Sequence, residues 1–366
     1  RFCAAWTRRL DSLPILTTNN YCAQLRGPMG RLRLRETPAK LRGMAYLIGT
    51  DEAGYGPNLG PLVISATLWE SPDGVGGEDL FERLAHVIAP DLRRTDGDAA
   101  CRVTMADSKK LYSRDIGLRH LERGLWPAFG LLGRWPRTWR DVWRGLAPEA
   151  LDSMQAVPWY VDYDGSVPSA CEAAEIEPLA DRLRTGMAAA GVRLLEVRSR
   201  AIFAHQFNEL VERHGSKGVA LSRETLALAA AMIEPLSAAP ISLLCDKHGG
   251  RNCYGPLLAE HFPEWLVEVR REGRQRSVYR FGPPQRRVEV SFCVKAESYL
   301  PAALASMASK YLRELAMQAF NEFWRRRLPD LAPTAGYPLD AKRFRADIAQ
   351  TQRQLNISDR VLWRMR

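Results

Sequence analysis

The stretch "GTDEAGYGPNLGPLV", residues 49–63, decides the fold. It joins two apolar, β-branched runs, residues 45–54 and 60–70, through a turn rich in glycine, proline and asparagine, which predicts an antiparallel hairpin. Two adjacent acids, Asp51 and Glu52, stand where the first run ends. Neighbouring side chains point to opposite faces of a regular strand. We therefore expect the first strand to end at this pair, because only then can both carboxylates face one point.

Further strand and helix patterns follow the hairpin. Alternating or wholly apolar runs predict strands, and amphipathic runs predict helices; the strands are expected at 193–203, 240–250 and 286–298, and the helices at about 78–88, 175–190, 221–236 and 300–327. Strands interleaved with helices predict an α/β sandwich. The segment 114–170 is rich in tryptophan, arginine and proline and has little periodicity, so we interpret it as an insertion.

The composition is that of a soluble globular protein: 366 residues, 46% hydrophobic and 26% charged. No apolar run is long enough to span a bilayer, and no secretory signal pattern is found. The seven cysteines are scattered and odd in number, which favours reduced thiols. We therefore expect a cytoplasmic protein with no membrane association.

The net charge of +10 is unevenly placed. Residues 1–43 hold nine basic and two acidic residues, which leaves only +3 for the rest of the chain. They show no sustained period, and a strand pattern begins directly after Met44. We predict that residues 1–43 are a disordered or non-native extension, that 44–330 form the catalytic domain with an insertion at about 114–170, and that 331–366 are a C-terminal helical extension of the same domain.

Acidic side chains follow three of the expected strands. Asp51 and Glu52, Asp246, and Glu297 each lie at the C-terminal end of an apolar run, next to glycine or a helix start. Ligands bind at that edge in open α/β sheets. Carboxylates gathered there repel one another, and hard divalent cations such as Mg²⁺ or Mn²⁺ remove that cost. Two such ions can catalyse phosphodiester hydrolysis. A single acid after a strand is more often a turn or capping residue, so the spacing alone leaves both interpretations open.

Several short motifs resemble those of the ribonuclease HII family. "GTDEAGYGPNLGPLV" resembles its Asp-Glu-Ala-Gly-Arg-Gly signature followed by Gly-Pro, and "DSKKLYS" (107–113) resembles its Asp-Ser-Lys-Lys-Leu motif. "SLLCDKHGG" (242–250) is similar to its strand ending in Asp-Gly, and "KAESYLPAALASMASKYLREL" (295–315) to its Lys-Ala-Asp segment and the following helix. "AGYPLDAKRF" (335–344) and "ISDRVLW" (357–363) resemble its C-terminal elements faintly. The matches are short islands in a consistent order.

The resemblance implies a ribonuclease H-like fold, a mixed sheet of about five strands with flanking helices, here with insertions. It implies an endoribonuclease that uses two Mg²⁺ or Mn²⁺ ions to cleave RNA in RNA–DNA hybrids or ribonucleotides embedded in duplex DNA. The catalytic metal ligands would be Asp51, Glu52, Asp246 and Glu297. The substrate would contact Gly54, Tyr55, Gly56, Ser108, Lys109, Lys110 and Tyr337.

Two departures from the family pattern bear on function. Tyr55 replaces a basic residue in the element that senses the ribose 2′-hydroxyl, the group that distinguishes RNA from DNA. Glu297 replaces an aspartate and lengthens the ligand by one methylene. Two alternatives therefore stay open: a nucleic-acid-binding protein of this fold with weakened or lost catalysis, and a DNA nuclease of this fold.

Two arginine-rich segments could contact nucleic acid. "RREGRQRSVYR" (270–280) alternates around Gly273 and predicts a basic hairpin, which could bind a duplex backbone or be an ordinary solvated face. In "GRWPRTWRDVWRGL" (133–146) the tryptophans Trp135, Trp139 and Trp143 recur every four residues. That spacing forms one helical stripe, which favours core packing over base stacking.

Overall fold

The computed structural model of the protein describes residues 43–92, 102–113 and 115–365. At the centre of this part of the chain is a seven-stranded mixed sheet in the order β5-β2-β1-β6-β9-β8-β7. Its strands are β1 (Met44–Ala53), β2 (Leu62–Pro72), β5 (Arg193–Ile202), β6 (Ile241–Asp246), β7 (Glu268–Arg271), β8 (Arg276–Phe281) and β9 (Val288–Cys293); β3 (Ile88–Ala89) and β4 (Val103–Thr104) pair separately. The predicted 1–43 extension lies outside the described residues except for Gly43.

Strand direction follows the chain connections. β1 pairs antiparallel with β2 over ten residues, from Met44–Pro72 to Ala53–Val63, as the hairpin prediction requires. β6 runs parallel to β1 and to β9, while β5, β7 and β8 pair antiparallel to their neighbours. Ten of the eleven residues of β2 are buried, because helices and loops cover both faces of the central strands.

Helices flank the sheet. In chain order they are α1 (Leu80–Arg83), α2 (Ser108–Leu111), α3 (Arg119–Leu131), α4 (Trp139–Leu146), α5 (Ala150–Met154), α6 (Ala173–Ala189), α7 (Ala204–His214), α8 (Lys217–Ile233), α9 (Gly255–His261), α10 (Leu300–Arg325), α11 (Pro338–Gln354) and α12 (Asp359–Leu362). Pro301 lies in the first turn of α10, where the missing N–H is tolerated. None of the helices in the described ranges has the length and apolarity to cross a membrane.

The long helix α10 packs very closely on β1. A Cβ added to Gly49 would lie 2.2 Å from the backbone nitrogen of Ala302, so only glycine permits this approach. The core on the α10 side of the sheet includes Trp139 and Trp143, which are 1% and 0% exposed. The packing interpretation of the tryptophan stripe therefore holds for these two rings, whereas Trp135 is 46% exposed.

The structure confirms the mixed α/β sheet with flanking helices, and it differs from the prediction in three details. The sheet has seven strands among the described residues rather than about five, because β8 and β7 extend it beyond β9. β1 does not end at the acid pair but continues to Ala53. β9 ends at Cys293, so Glu297 lies in a separate 3₁₀ turn, Ala296–Ser298. The basic hairpin around Gly273 is confirmed as β7 and β8.

Candidate active site

The sheet opens beside β1 at the acid pair. The β1–β6 ladder ends at Thr50 and Cys245, so the next residues of the two strands, Asp51 and Asp246, flank the point where pairing stops. β1 continues past this point because β2 still pairs with it. The carboxylates of Asp51 and Asp246 thus lie where the pairing between β1 and β6 ends, although β1 itself continues.

Asp51 lies on the α10 face of the sheet, the face of Gly49 two residues earlier. The Ser306 side chain is a polar neighbour of the Asp51 carboxyl group and acts to lower the pKa of Asp51, against the larger effect of burial. The Ser309 hydroxyl donates to the Asp51 carbonyl oxygen at 3.0 Å. Two serines three residues apart on α10 therefore hold this part of β1 in place.

Asp246 is joined to the turn that carries Glu297. The backbone N–H of Ala296 donates to Asp246 Oδ1 at 3.3 Å. Lys295, just before it, has a left-handed backbone with φ of 61°, which is uncommon for a residue with a side chain. This turn places Glu297 within electrostatic reach of Asp246 although β9 ends four residues earlier.

Burial raises the pKa of all four carboxyl groups, and the charges of neighbouring acids add to this effect for Asp51, Glu52 and Glu297. Burial and then the Glu52 charge raise the pKa of Asp51 well above its usual range, and burial and then the Asp246 charge raise the pKa of Glu52 to about 7. Burial also raises the pKa values of Asp246 and Glu297. Within the described ranges, none of the four forms an ion pair with a lysine or arginine. A bound cation would therefore reduce the electrostatic repulsion among these carboxylates.

One lysine lies in the field of these acids. Burial lowers the pKa of Lys109, but the charges of Asp107, Glu297, Asp51 and Asp246 outweigh it, and the net shift is upward. The Lys109 side chain is exposed. Asp107 caps α2 by accepting from the Lys109 backbone N–H at 3.0 Å, which fixes the start of this short helix.

The remaining residues of the "DSKKLYS" motif differ in their surroundings. Ser108 is buried, and its hydroxyl accepts a hydrogen bond from the Ser306 hydroxyl at 3.0 Å. It therefore links α2 to the same serine that contacts Asp51. Lys110 is exposed, and no contact ties it to the four acids.

The loop between β1 and β2 is held by two buried arginines. Arg364 is 1% exposed, and its Nη2 donates to the carbonyl oxygens of Gly54 (2.5 Å), Tyr55 (3.2 Å) and Pro57 (2.6 Å). Arg313 is 3% exposed and donates from Nη1 to the Pro61 carbonyl at 2.9 Å. Burial, followed by the nearby Arg313 charge, lowers the pKa of Arg364 to about 9. Two guanidinium groups thus stabilise a loop that has few backbone partners of its own.

The loop places its predicted contact residues at the surface. Gly54 has φ of +91°, and a Cβ there would lie 2.5 Å from the Pro61 carbonyl oxygen, so the turn requires glycine. Lys217 Nζ lies 4.6 Å from the centre of the Tyr55 ring, a cation–π contact. Gly56 is exposed. Tyr337 is 57% exposed and follows Gly336, whose carbonyl accepts from the Asn58 N–H of the same loop.

The donor chemistry of the four acids suits a hard divalent cation, since it consists of oxygen atoms only. Burial is the largest cause of their raised pKa values, and the Lys109 charge offsets only part of the shift in Glu52, Asp246 and Glu297. In residues 43–92, 102–113 and 115–365, however, no three acidic, histidine or cysteine side chains are close enough to form a ready metal site. The residues fit a cation in their chemistry but not in their present spacing, and the side chains would have to draw together to bind it.

Sequence reasoning assigned no role to Ser306, Ser309, Arg313, Arg364 and Asp107. The serines had a usable signal, because they lie three residues apart on an alanine- and serine-rich helix. Asp107 stands at the start of a recognised motif. The two arginines gave no local signal, since the carbonyl groups of Pro61 and Gly54 that they contact are more than 250 residues away in the chain.

Comparisons with known proteins find structural likeness. No protein-family model and no curated protein matches the chain. Similar solved structures include an RNase HII from Archaeoglobus fulgidus in complex with PCNA (14% identity over 87% of this chain and 94% of that chain, TM-score 0.37). They also include the ribonuclease H2 of Pyrococcus horikoshii (15% identity, 87% and 92%, TM-score 0.37) and Bst-RNase HIII in complex with Mn²⁺ (15% identity, 88% and 66%, TM-score 0.35). With identities of 14–15% and TM-scores below 0.5, these likenesses carry no argument about this chain.

Proposed function

We propose that the protein is a metal-dependent endoribonuclease that cleaves RNA in RNA–DNA hybrids or at ribonucleotides embedded in duplex DNA. One observation carries the proposal. Three distant parts of the chain bring four carboxylates to the same edge of the sheet, where neighbouring acids raise the pKa of Asp51, Glu52 and Glu297. The motifs that carry these acids are those that resemble the ribonuclease HII family.

The four carboxylates, Asp51, Glu52, Asp246 and Glu297, would hold two Mg²⁺ or Mn²⁺ ions. When bound, such ions activate a water molecule and stabilise the oxygen that leaves the phosphate. The chain's own residues would position the reactants. The Ala296 N–H orients the Asp246 carboxylate, and Ser306 would help to orient that of Asp51.

Two lysines would contact the negatively charged substrate. Lys109 is exposed and lies in the field of the four acids, so its ammonium could approach the scissile phosphate. Lys217 lies over the Tyr55 ring and would supply the positive charge that Tyr55 lacks. The Lys217 ammonium beside Tyr55 thus supports the proposal, although Tyr55 itself replaces the basic residue of the family motif.

The loop from Gly54 to Gly56 would recognise the ribose through its backbone. Because Arg364 holds the Gly54 and Tyr55 carbonyls, the loop is ordered before substrate binds. Pre-organised contacts of this kind lower the cost of recognition. The exposed Tyr337 ring, next to this loop, would pack against a sugar beside the cut.

Two substitutions test the proposal. Asp51→Asn and Asp246→Asn each keep the side-chain size but remove a charged ligand. We expect either to lower cleavage of a labelled RNA–DNA hybrid, measured with Mg²⁺ and with Mn²⁺, by roughly a thousandfold, since metal stabilisation is worth several kcal/mol. Asp330→Asn, at an exposed acid, is the matched control. Full activity in either active-site variant would refute the assignment.

A specific observation favours a second function, that of a nucleic-acid-binding protein without catalysis. The described acids do not form a ready set of metal ligands. That function predicts binding of a hybrid duplex with no cleavage of a hybrid or of a duplex with one ribonucleotide, with either metal. Cleavage of DNA-only substrates in the same assay would instead indicate a DNA nuclease.

A further inference from the structure

The segment from Glu268 to Phe281, which we call the basic hairpin, forms the far edge of the sheet as β7, a turn and β8. All four residues of β7 are exposed. Some of its arginines are already paired: Arg270 with Glu268, Arg276 with Glu78 and Arg280 with Glu289. Arg271 and Arg274 are exposed, and neither forms an ion pair with any residue that the structure describes. These two guanidinium groups are therefore available to a partner.

The strand register places the turn of the basic hairpin beside the acids. Asp246 is level with Cys293 of β9, and Cys293 is level with Arg276 of β8. Two strand spacings separate Asp246 from Arg276, a distance of about 10 Å. The turn, residues 272–275, precedes Arg276 and so projects from the same edge as Asp246. That distance corresponds to roughly three base pairs along a duplex.

A lysine next to Asp246 fixes this turn. Lys247 Nζ donates to the Gly273 carbonyl at 2.6 Å and to Ser277 Oγ at 3.0 Å. The Val294 N–H donates to the Gln275 carbonyl at 3.0 Å. The turn is thus held against the residues that follow β6 and β9, and a partner bound to it does not have to order it.

The turn carries one acid, Glu272, and this residue is exposed. Glu272 accepts a hydrogen bond from the hydroxyl of Tyr279, a residue whose side chain is buried in the sheet. Arg271 and Arg274 outnumber this acid, so the net charge of residues 271–275 is positive. A fixed turn of net positive charge complements a polyanion.

We propose that the basic hairpin binds the phosphate backbone of a nucleic-acid duplex, a few base pairs from the point of cleavage, through Arg271 and Arg274. The inference rests on the proposed action on duplexes and extends it to a second contact. Phosphate contacts of this kind position a duplex without reading its sequence. The hairpin would therefore set affinity and orientation, whereas the acids and the Gly54–Gly56 loop would select the site.

Salt-dependent binding tests this inference. The affinity of the full-length protein for a fluorescein-labelled RNA–DNA hybrid is measured by fluorescence anisotropy in EDTA, between 50 and 200 mM salt. Each phosphate contact contributes about 0.9 to the slope of log affinity against log salt. The double variant Arg271→Ala/Arg274→Ala should therefore lower the magnitude of the slope by about 2. The matched control is Arg182→Ala/Arg353→Ala, which removes two exposed arginines from α6 and α11.

The outcomes separate this inference from the proposed function. Binding in EDTA does not depend on metal or cleavage. The binding test of the hairpin can therefore fail while the Asp51→Asn and Asp246→Asn cleavage experiments support the proposed function, and it can succeed while they do not. An unchanged slope in the hairpin variant overturns the inference, as does an equal decrease in the control. The inference is also overturned if the wild-type protein does not bind the hybrid, or if the hairpin variant loses affinity for single-stranded oligonucleotides only.

Discussion

Glu52→Gln should make the metal-free protein more stable at neutral and alkaline pH. Burial and the Asp246 charge raise the pKa of Glu52 from 4.5 to about 7 in the folded protein. The folded state therefore binds a proton more tightly than the unfolded state does. Stability is greatest below the unfolded value of 4.5 and decreases as the pH rises through about 7, after which it is constant.

The size of the effect follows from the same two values. The difference between 4.5 and about 7 corresponds to about 3 kcal/mol. Water around the half-buried carboxylate screens part of it, so we expect about 2 kcal/mol. Glutamine has nearly the same shape as glutamate and does not titrate. Its contribution to the free energy of unfolding should therefore not change with pH.

Urea unfolding in EDTA at several pH values between 4 and 8.5 measures this effect. Glu52→Gln should exceed wild type by about 2 kcal/mol at pH 8, and the difference should vanish near pH 4. Glu264→Gln, at an exposed acid, is the control. Mg²⁺ should then stabilise wild type more than Glu52→Gln, because a ligand stabilises the state that binds it. A variant no more stable than wild type at pH 8 would refute the reasoning.

Further substitutions test single features of the fold. Gly49→Ala should lower the free energy of unfolding by about 2–3 kcal/mol, since the new methyl group meets the α10 backbone. Gly145→Ala, whose methyl group would contact only the Arg134 side chain at 4.0 Å, should not destabilise, and thermal denaturation compares the two. Trp143→Ala should cost about 3–5 kcal/mol in the same assay, and a much smaller loss would contradict core packing of this ring. Arg364→Ala should speed hydrogen exchange in residues 54–60 and raise the KM for a hybrid more than it lowers kcat, with partial rescue by Arg364→Lys; unchanged exchange would count against the loop contacts.

Local patterns were sufficient for the elements whose formation depends on neighbouring residues. The hairpin of β1 and β2 followed from two apolar runs around a glycine- and proline-rich turn, and the start of α10 followed from Pro301. The site acids were predicted because they follow apolar runs, and β6 does end at Asp246. Their metal ligation and the substrate contacts stay predictions.

Strand ends and long-range contacts were not predictable in the same way. Whether β1 stops at Asp51 depends on how far β2 pairs with it, which the β1 sequence does not encode. The turn that carries Glu297 depends on a hydrogen bond between Ala296 and Asp246, 50 residues apart. The segment 114–170 showed little periodicity because two of its three helices, α4 and α5, are only eight and five residues long.

The contact between Arg364 and Gly54 also constrains the order of events during protein synthesis. The two residues are 310 positions apart, and such distant contacts form late because the intervening chain must first be brought together. On the ribosome, the β1–β2 hairpin is complete long before Arg364 has been translated. A nascent chain can therefore build the sheet first and acquire the fixed Gly54–Gly56 loop only in its final step of folding.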